Sequence, residues 1–365
     1  MVFLFSGGRR EKLNQVRSGS APSEFLYGYW ELLAKGKDVH FLDVPEETQR
    51  SLAARILNLF YYRWQLLPCR ATGDLLVTIY RLGNQLKNYD ILVATTTGIG
   101  FCLEILRWIG ILKVPILTLH CGVLNHTYNR PTEIFTGCLL RRGYTQVFGI
   151  GKLEEMKRRF SIPDNRIILN EFGVDTQFWT PSTLTKRLGY VLAVGNDGLR
   201  DYELLMNVAA KLRLPVKLLT TRPISFVPEN VTVLHGRMHS ECAVSDIALR
   251  ELYREAAVVV VPLIESLQPS GQSVTLQAMA CGTAVVLTRT AGLWNRQLLR
   301  DRHNCLLVPV ADEAAMVMAI QGIMEERDNR DAIGAESVRL VRENFPIRQF
   351  VHNLELACHS IYGIA

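Results

Sequence analysis

With 365 residues, 48% of them hydrophobic and 21% charged, and a mean hydropathy of +0.10, the chain is too apolar for a disordered polypeptide and too long for one ordinary domain, so two domains of about 150 to 200 residues each are expected. The net charge of +6 falls within residues 1–180; without dense Lys/Arg runs it speaks against nucleic acid as a partner and fits an anionic membrane surface, an anionic substrate, or simply a basic surface on one lobe. The eight cysteines form no Cys-x-x-Cys, which argues against a zinc ribbon or a disulfide framework and for small buried residues in a reducing compartment. The apolar run at residues 1–5 is too short for a signal-peptide core or a membrane span, so a cytoplasmic protein is expected.

Short apolar runs at residues 2–5, 39–42, 91–94, 115–119 and 147–150 alternate with amphipathic stretches, a βαβα rhythm that implies a parallel sheet covered by helices on both faces. The rhythm breaks over residues 171–187 and resumes with apolar runs at 190–194, 216–219, 231–234, 258–261, 284–287 and 305–308. Residues 312–364 read as helical, with a break at Asn344-Phe345-Pro346, where proline lacks the N–H a helix needs and pushes its neighbour out of the α region. The fold class is therefore α/β, with two Rossmann-like doubly wound lobes expected to face a cleft, because ligands of open α/β sheets collect beyond the carboxyl ends of the strands.

The strongest local pattern is residues 260–287: strand, polar loop, helix, glycine stop, strand. Helix entry at Pro269-Ser270-Gly271-Gln272-Ser273 leaves backbone N–H groups under little side-chain bulk at the positive end of a helix dipole, which suits a diphosphate as well as it suits an ordinary N-cap. No phosphate-binding Gly-x4-Gly-Lys-Ser/Thr occurs, the look-alike Gly149-Ile150-Gly151-Lys152-Leu153 lacking the spacing and the hydroxyl, and no Gly-x-Gly-x-x-Gly follows the first strand; these two absences exclude a P-loop NTPase and argue against a dinucleotide oxidoreductase. The pair His235 and His239, and the set His120, Cys121 and His126, have passable metal spacing, but no suitable third ligand accompanies the first pair, so no metal is expected.

Three stretches resemble a known family, the GT-B glycosyltransferases and within them the retaining glycosyltransferase family four: Gly173-Val174-Asp175 with Phe178 and Pro181, Val194-Gly195 before a helix at Asp201, and Gln277-Ala278-Met279-Ala280-Cys281-Gly282-Thr283-Ala284-Val285-Val286. The likeness is strong across roughly residues 170 to 310 and weaker in the first lobe, where it rests on topology, a glycine-bearing loop after the first strand and Thr118-Leu119-His120. It implies an acceptor-binding lobe at 1–175, a nucleotide-sugar lobe at 176–345 and a C-terminal helix at 346–365 packing back on the first lobe.

The resemblance also implies roles. After Gly195 the family usually carries an Arg and then a Lys on the diphosphate; here Asn196 holds the first place and Arg200 lies near the second, making Arg200 the candidate that neutralises the leaving diphosphate. Ser270, Gly271, Gln272 and Ser273 would contact phosphates or sugar. The family's Glu-x7-Glu pattern is broken: Gln277 stands where its second Glu holds the ribose hydroxyls, its carbonyl still able to accept one such bond, and Pro269 stands at the first place, with Glu265 upstream either reaching the sugar or merely exposed. His120, closing its strand, is where the family often places a histidine facing the donor sugar; a structural hydrogen-bonding role is the alternative. The chain contains no Asp-x-Asp, so Arg200 and helix N–H groups would stand in for a cation; a retaining outcome is implied by the resemblance alone.

In the first lobe, residues 6–22 read as a long polar loop leading to a helix at Ser23-Glu24-Phe25, with Gly7 and Gly8 allowing close approach of an acceptor or phosphate and Arg9, Arg10 and Arg17 favouring an anion. Residues 50–67 form an aromatic, Arg-bearing helical stretch with no acidic residue; it suits either a lipid headgroup layer, as for a lipid-linked acceptor, or core packing with Arg55 and Arg63 snorkelling outward. The resulting expectation is a metal-independent transferase, without cofactor, moving a sugar from a nucleotide-diphosphate donor to a glycan or lipid-linked acceptor in cell-surface or exopolysaccharide assembly, in the cytoplasm or at the cytoplasmic face of the membrane. A catalytically silent GT-B binding subunit and a GT-B sugar epimerase are the alternatives.

Overall fold

The computed structural model describes residues 1–45, 51–182, 187–234 and 244–364. In chain order it contains β1 (Val2–Ser6), α1 (Arg9–Arg17), α2 (Tyr29–Ala34), β2 (His40–Val44), α3 (Leu52–Asn58), α4 (Gly73–Leu86), β3 (Leu92–Ala94), α5 (Thr97–Trp108), β4 (Ile116–Leu119), α6 (Arg130–Arg142), β5 (Tyr144–Val147), α7 (Ile150–Phe160) and β6 (Ile167–Leu169). There follow β7 (Val191–Val194), α8 (Tyr202–Leu212), β8 (Val216–Leu219), β9 (Val231–Leu234), α9 (Asp246–Glu255), β10 (Val258–Val261), α10 (Gln272–Ala280), β11 (Ala284–Thr288), β12 (Leu306–Val308), α11 (Glu313–Glu325), α12 (Arg327–Asn344) and α13 (Ile347–Ile364).

Two six-stranded sheets result, ordered β2-β1-β3-β4-β5-β6 and β12-β11-β10-β7-β8-β9, every pairing parallel. Central strands such as β1 and β10 are buried nearly throughout, as a parallel sheet covered on both faces requires. In each sheet the first strand by sequence sits inside, and the order reverses beside it, so each unit has a topological switch point at the carboxyl end of its strands.

The chain divides into two compact units: the first holds residues 1–13, Leu26–Glu171 and the chain from Phe350 on, the second Asn14–Phe25 and Phe172–Gln349. In the first, Leu4, Leu92, Ala94, Phe101, Ile116 and Val147 form the centre of the core; in the second, Val191, Val258, Val260, Ala284, Val286 and Met316 do so. Within the first unit α13 is tied in by the Asn170 Nδ2 bond to the Phe350 carbonyl at 3.0 Å and by the Lys35–Glu355 ion pair at 2.7 Å.

Some expectations need correction. The supposed loop over residues 6–22 is largely α1, because Leu13 and Val16 repeat at a helical interval and bury one face, leaving Gly7-Gly8 before it and residues 18–22 after it as turn and loop. The strand expected at 147–150 is β5, three residues earlier: its polar members Thr145 and Gln146 are buried and mask the apolar signal, while Ile150 already opens α7. β6, Ile167–Leu169, pairs with β5 and adds a strand to those expected.

Candidate active site

In the second unit, β7 is followed by Gly195, whose carbonyl accepts from Tyr202 Oη at 2.6 Å and Thr220 Oγ1 at 2.8 Å. The loop that follows is fastened to the end of β10: Ile264 N donates to the Leu199 carbonyl at 3.0 Å and Asp201 N to the Pro262 carbonyl at 3.1 Å. Asp201 then caps α8 through Leu204 N at 3.0 Å. This fastening lays the Arg200 side chain, only 3% exposed, between two glycines. A Cβ on Gly195 would come within 2.3 Å of Arg200 Nε, and one on Gly271 within 3.1 Å of Arg200 Nη1 and 2.6 Å of Val261 Cγ1. Gly271 is the N-cap of α10 at φ 74°, and no side chain caps that helix.

Arg200 is only partly neutralised. Its Nε lies 2.9 Å from Asp197 Oδ2, yet neither that N–H nor Nη1 has a hydrogen-bond partner aligned to it among the described residues. Asp197 itself is divided, its other oxygen accepting from Leu199 N at 3.0 Å and Ser270 Oγ at 2.9 Å. A buried guanidinium N–H left without an acceptor beside the positive end of a helix is an arrangement that an anion completes. The predicted residues Gly195, Arg200, Ser270 and Gly271 are thus brought together, with Gln272 buried and Ser273 half-buried on the first turn of α10.

Three other predicted residues are engaged by neighbours within the second unit. Asn196 Oδ1 accepts from Thr221 N at 2.6 Å and from the Thr221 hydroxyl at 3.1 Å, so its amide oxygen braces the end of β8. Glu265 is exposed and its Oε1 accepts from Ser266 N at 2.9 Å and Ala291 N at 2.8 Å, stapling two loops. Gln277 is 3% exposed, its Nε2 donates to Glu24 Oε1 at 2.9 Å and its Oε1 accepts from Tyr253 Oη at 3.2 Å, so both ends of its amide are engaged inside the second unit. The helical register that puts it on α10 also turns it inward.

Glu24 is the residue that sequence reasoning missed. It lies in a one-turn 3-10 helix, Glu24–Leu26, and its carboxyl group accepts from Gln277, from Trp179 Nε1 at 2.8 Å and from Asp175 N at 3.1 Å. Burial pushes its pKa up to about 7, against the pull of the bond from Gln277, with the nearby Asp175 carboxylate adding to the rise and the Trp179 bond opposing it. A glutamate in a Ser-Glu-Phe triplet carries no local sign of this.

In the first unit, His120 follows β4 and is 3% exposed, its ring 5.0 Å from that of Phe101. Its N–H donates to the Gln146 carbonyl at 3.0 Å, its carbonyl accepts from the buried Lys152 Nζ, and Nδ1 has no partner among the described residues. Burial, with the Lys152 charge adding, lowers its pKa to about 3, so the imidazole is neutral across the physiological range. Lys152 is itself lowered to about 8 by burial. The turn after His120 is pinned because Thr97 Oγ1 donates to the Cys121 carbonyl at 2.8 Å and accepts from Cys121 N at 3.0 Å. Gly7 and Gly8 lie at the carboxyl end of β1 in this unit, Gly8 at φ 86° with open space where a Cβ would be, whereas Arg17 sits exposed on the last turn of α1 and belongs to the second unit.

Among the described residues no group of three or more His, Cys, Asp or Glu side chains is placed to hold a metal ion, and none of their helices is long and apolar enough to cross a membrane. His235 and His239 lie outside the described residues.

Against this geometry, residues 224–326 match the family of glycosyl transferases group 1. Over its whole length the chain has the GT-B glycosyltransferase fold. It is similar to sucrose-phosphate synthase from Thermosynechococcus elongatus (16% identity, TM-score 0.73, 100% of this chain and 99% of that one). It is also similar to a glycosyltransferase from Rickettsia africae (13%, 0.69, 99% and 98%) and to HepE from Anabaena, solved with UDP and glucose (12%, 0.68, 98% and 99%). No curated protein sequence matches the chain. Fold and family match together define the class: a two-unit GT-B glycosyltransferase architecture whose second unit carries a glycosyl transferases group 1 segment.

Proposed function

We propose that the protein transfers a sugar, a hexose or a close relative, from a nucleotide-diphosphate donor to a glycan or lipid-linked acceptor. The observation that carries this reading is Arg200, buried against Gly195 and Gly271 with Nη1 unpaired at the uncapped end of α10. A diphosphate supplies the missing acceptor, and the same contacts strengthen as negative charge accumulates on the leaving phosphate. HepE, of the same fold, is recorded with UDP-glucose, which makes a uridine donor the first to test. In this reading Arg200 and the first-turn N–H groups of α10 take the place of a divalent cation, the sugar's configuration is retained, and the neutral His120 offers a hydrogen bond rather than a charge. The setting is cell-surface or exopolysaccharide assembly at the cytoplasmic face of a membrane, with residues 1–175 holding the acceptor.

One observation favours a second reading, a nucleotide-sugar-binding subunit without turnover: the two family carboxylate places hold Pro269 and Gln277, Gln277 is bonded to Glu24 and Tyr253, and the upstream Glu265 is bonded to backbone N–H groups.

A thermal-shift panel of UDP, GDP, ADP, CMP, dTDP and their sugars, with and without EDTA, tests both. A ligand at ~100 times its dissociation constant adds ~2.7 kcal/mol. EDTA-insensitive stabilisation by one nucleotide sugar, followed by release of the free nucleotide with acceptor present, is the expected result. Stabilisation without release selects the silent subunit, and no stabilisation by any of them removes the anion assignment.

A further inference from the structure

The acid-free segment singled out in the sequence packs on the core by one side only. α3 presents Ala54, fully buried, and Leu57 inward. The reason is Gly73 at the start of α4: a Cβ there would stand 2.6 Å from the Ala54 carbonyl oxygen, 2.6 Å from Asn58 N and 2.7 Å from Leu57 Cβ, so the two helices touch backbone to backbone. Asn58 closes the contact, accepting from Gly73 N at 2.8 Å and donating to Asp74 Oδ2 at 2.8 Å. With that side taken, the rest faces out: Leu52 is 74% exposed, Ile56 48%, Leu59 51%, Tyr62 67%, Trp64 51% and Leu66 38%.

This outer face is held, not loose. Residues Leu59–Arg63 form a π turn closed by Trp64 N on the Leu59 carbonyl at 3.0 Å. Asn129 Nδ2 donates to the Gln65 carbonyl at 3.1 Å and Thr132 Oγ1 to the same oxygen, while Arg70 N donates to Tyr61 Oη at 2.9 Å. Arg55, Arg63 and Arg70 are exposed on the same segment, and no acidic residue occurs between Glu47 and Asp74. Aliphatic tips, a Tyr and a Trp with polar edges, and guanidinium groups on a stretch with no acidic residue of its own match in turn the acyl boundary, the interface and the phosphate layer of a bilayer. A second copy of the chain is a poor occupant, because a twofold contact would set the arginines of one patch against the same arginines of the other.

We propose that the face formed by Leu52, Ile56, Leu59, Tyr62 and Trp64, flanked by Arg55 and Arg63, docks this protein on an anionic lipid bilayer. The proposal stands independently of the donor reading, since it uses none of the residues around Arg200.

The test is flotation of the full chain with vesicles of equal parts phosphatidylglycerol and phosphatidylcholine, and with phosphatidylcholine alone. Binding to the anionic vesicles that weakens with added salt and is absent on phosphatidylcholine is expected. The pair Arg55→Gln with Arg63→Gln lowers it about fivefold per arginine, and Tyr62→Ser with Trp64→Ser lowers it at least as much. Leu52→Glu, at the first position of α3 where a carboxylate favours the helix, abolishes it with an unchanged thermal midpoint. Absence of flotation, flotation indifferent to these variants, equal flotation on phosphatidylcholine, or a dimer that the same variants dissociate would each overturn the proposal.

Discussion

Gln277 Nε2 donates to Glu24 Oε1 over 2.9 Å, joining the middle of α10 to a residue 253 positions earlier in the chain. The bond places a glutamate carboxyl group beside the helix position where the resembling family keeps a glutamate of its own. Burial of the Glu24 carboxyl group, against the pull of the bond, raises its pKa to about 7.

Because burial raises Glu24 to about 7 from an ordinary 4.5, the native state holds a proton that the unfolded chain releases. The stabilising contribution of the protonated form is complete below the unfolded value and is lost as pH rises through about 4.5 to 7, at most about 3 kcal/mol. Glu24→Gln is expected to abolish this fall; thermal midpoints of both proteins across that range should converge at low pH and separate as pH increases. Parallel curves would show that the carboxyl group does not titrate there. Subtracting the curves matters because His120, lowered to about 3, contributes the opposite slope: its stabilisation is present above 6.5 and lost as pH falls towards 3.

Arg200→Ala is expected to remove nucleotide-induced stabilisation and to lower turnover on the order of 100- to 1000-fold. The unliganded thermal midpoint should move less, through the lost Asp197 ion pair and buried packing alone, since neither Nε nor Nη1 makes an aligned hydrogen bond among the described residues. Calorimetric titration with the stabilising nucleotide, set beside a melt without it, separates the two; equal losses in both would end the assignment.

Gly271→Ala tests the cradle itself. At φ 74° a side chain costs about 1 to 2 kcal/mol, and the overlap with Val261 Cγ1 at 2.6 Å adds about 1 to 3 kcal/mol. Gly19→Ala, at φ 71° with open space around it, should show the backbone cost alone. Urea unfolding of both variants gives the difference, and nucleotide affinity should fall only for Gly271→Ala, whose new Cβ presses on Arg200.

Gly100→Ala probes how α5 seats on β4. A helical glycine replaced by alanine ordinarily gains about 1 kcal/mol, but here the Cβ would lie 2.1 Å from Thr118 Cγ2 and 2.3 Å from its Oγ1, so overpacking of about 1 to 3 kcal/mol outweighs the gain. Adding Thr118→Ala should recover much of the loss in a double-mutant cycle, and simple additivity would show that the helix moves instead.

The two sheets, the helical C-terminal region broken at Pro346 and the strand-loop-helix unit around Gly271 were legible because each is a local pattern: an apolar run such as 258–261, a periodic stretch, a glycine or proline at a turn. β5 was read three residues late because Thr145 and Gln146 are polar by composition and buried only through their neighbours. In the site, Gly271 could be named from its own surroundings, since a helix start announces itself in the chain, whereas Gly195 and Arg200 were reached through the family resemblance. That Arg200 lies between two glycines, that Gln277 turns inward to Glu24, and that α3 leaves Leu52, Tyr62 and Trp64 uncovered were decided by tertiary structure. Sequence determines which surface each element has to bury through its own periodicity; which partner buries it depends on contacts between residues hundreds of positions apart, and no local pattern encodes those.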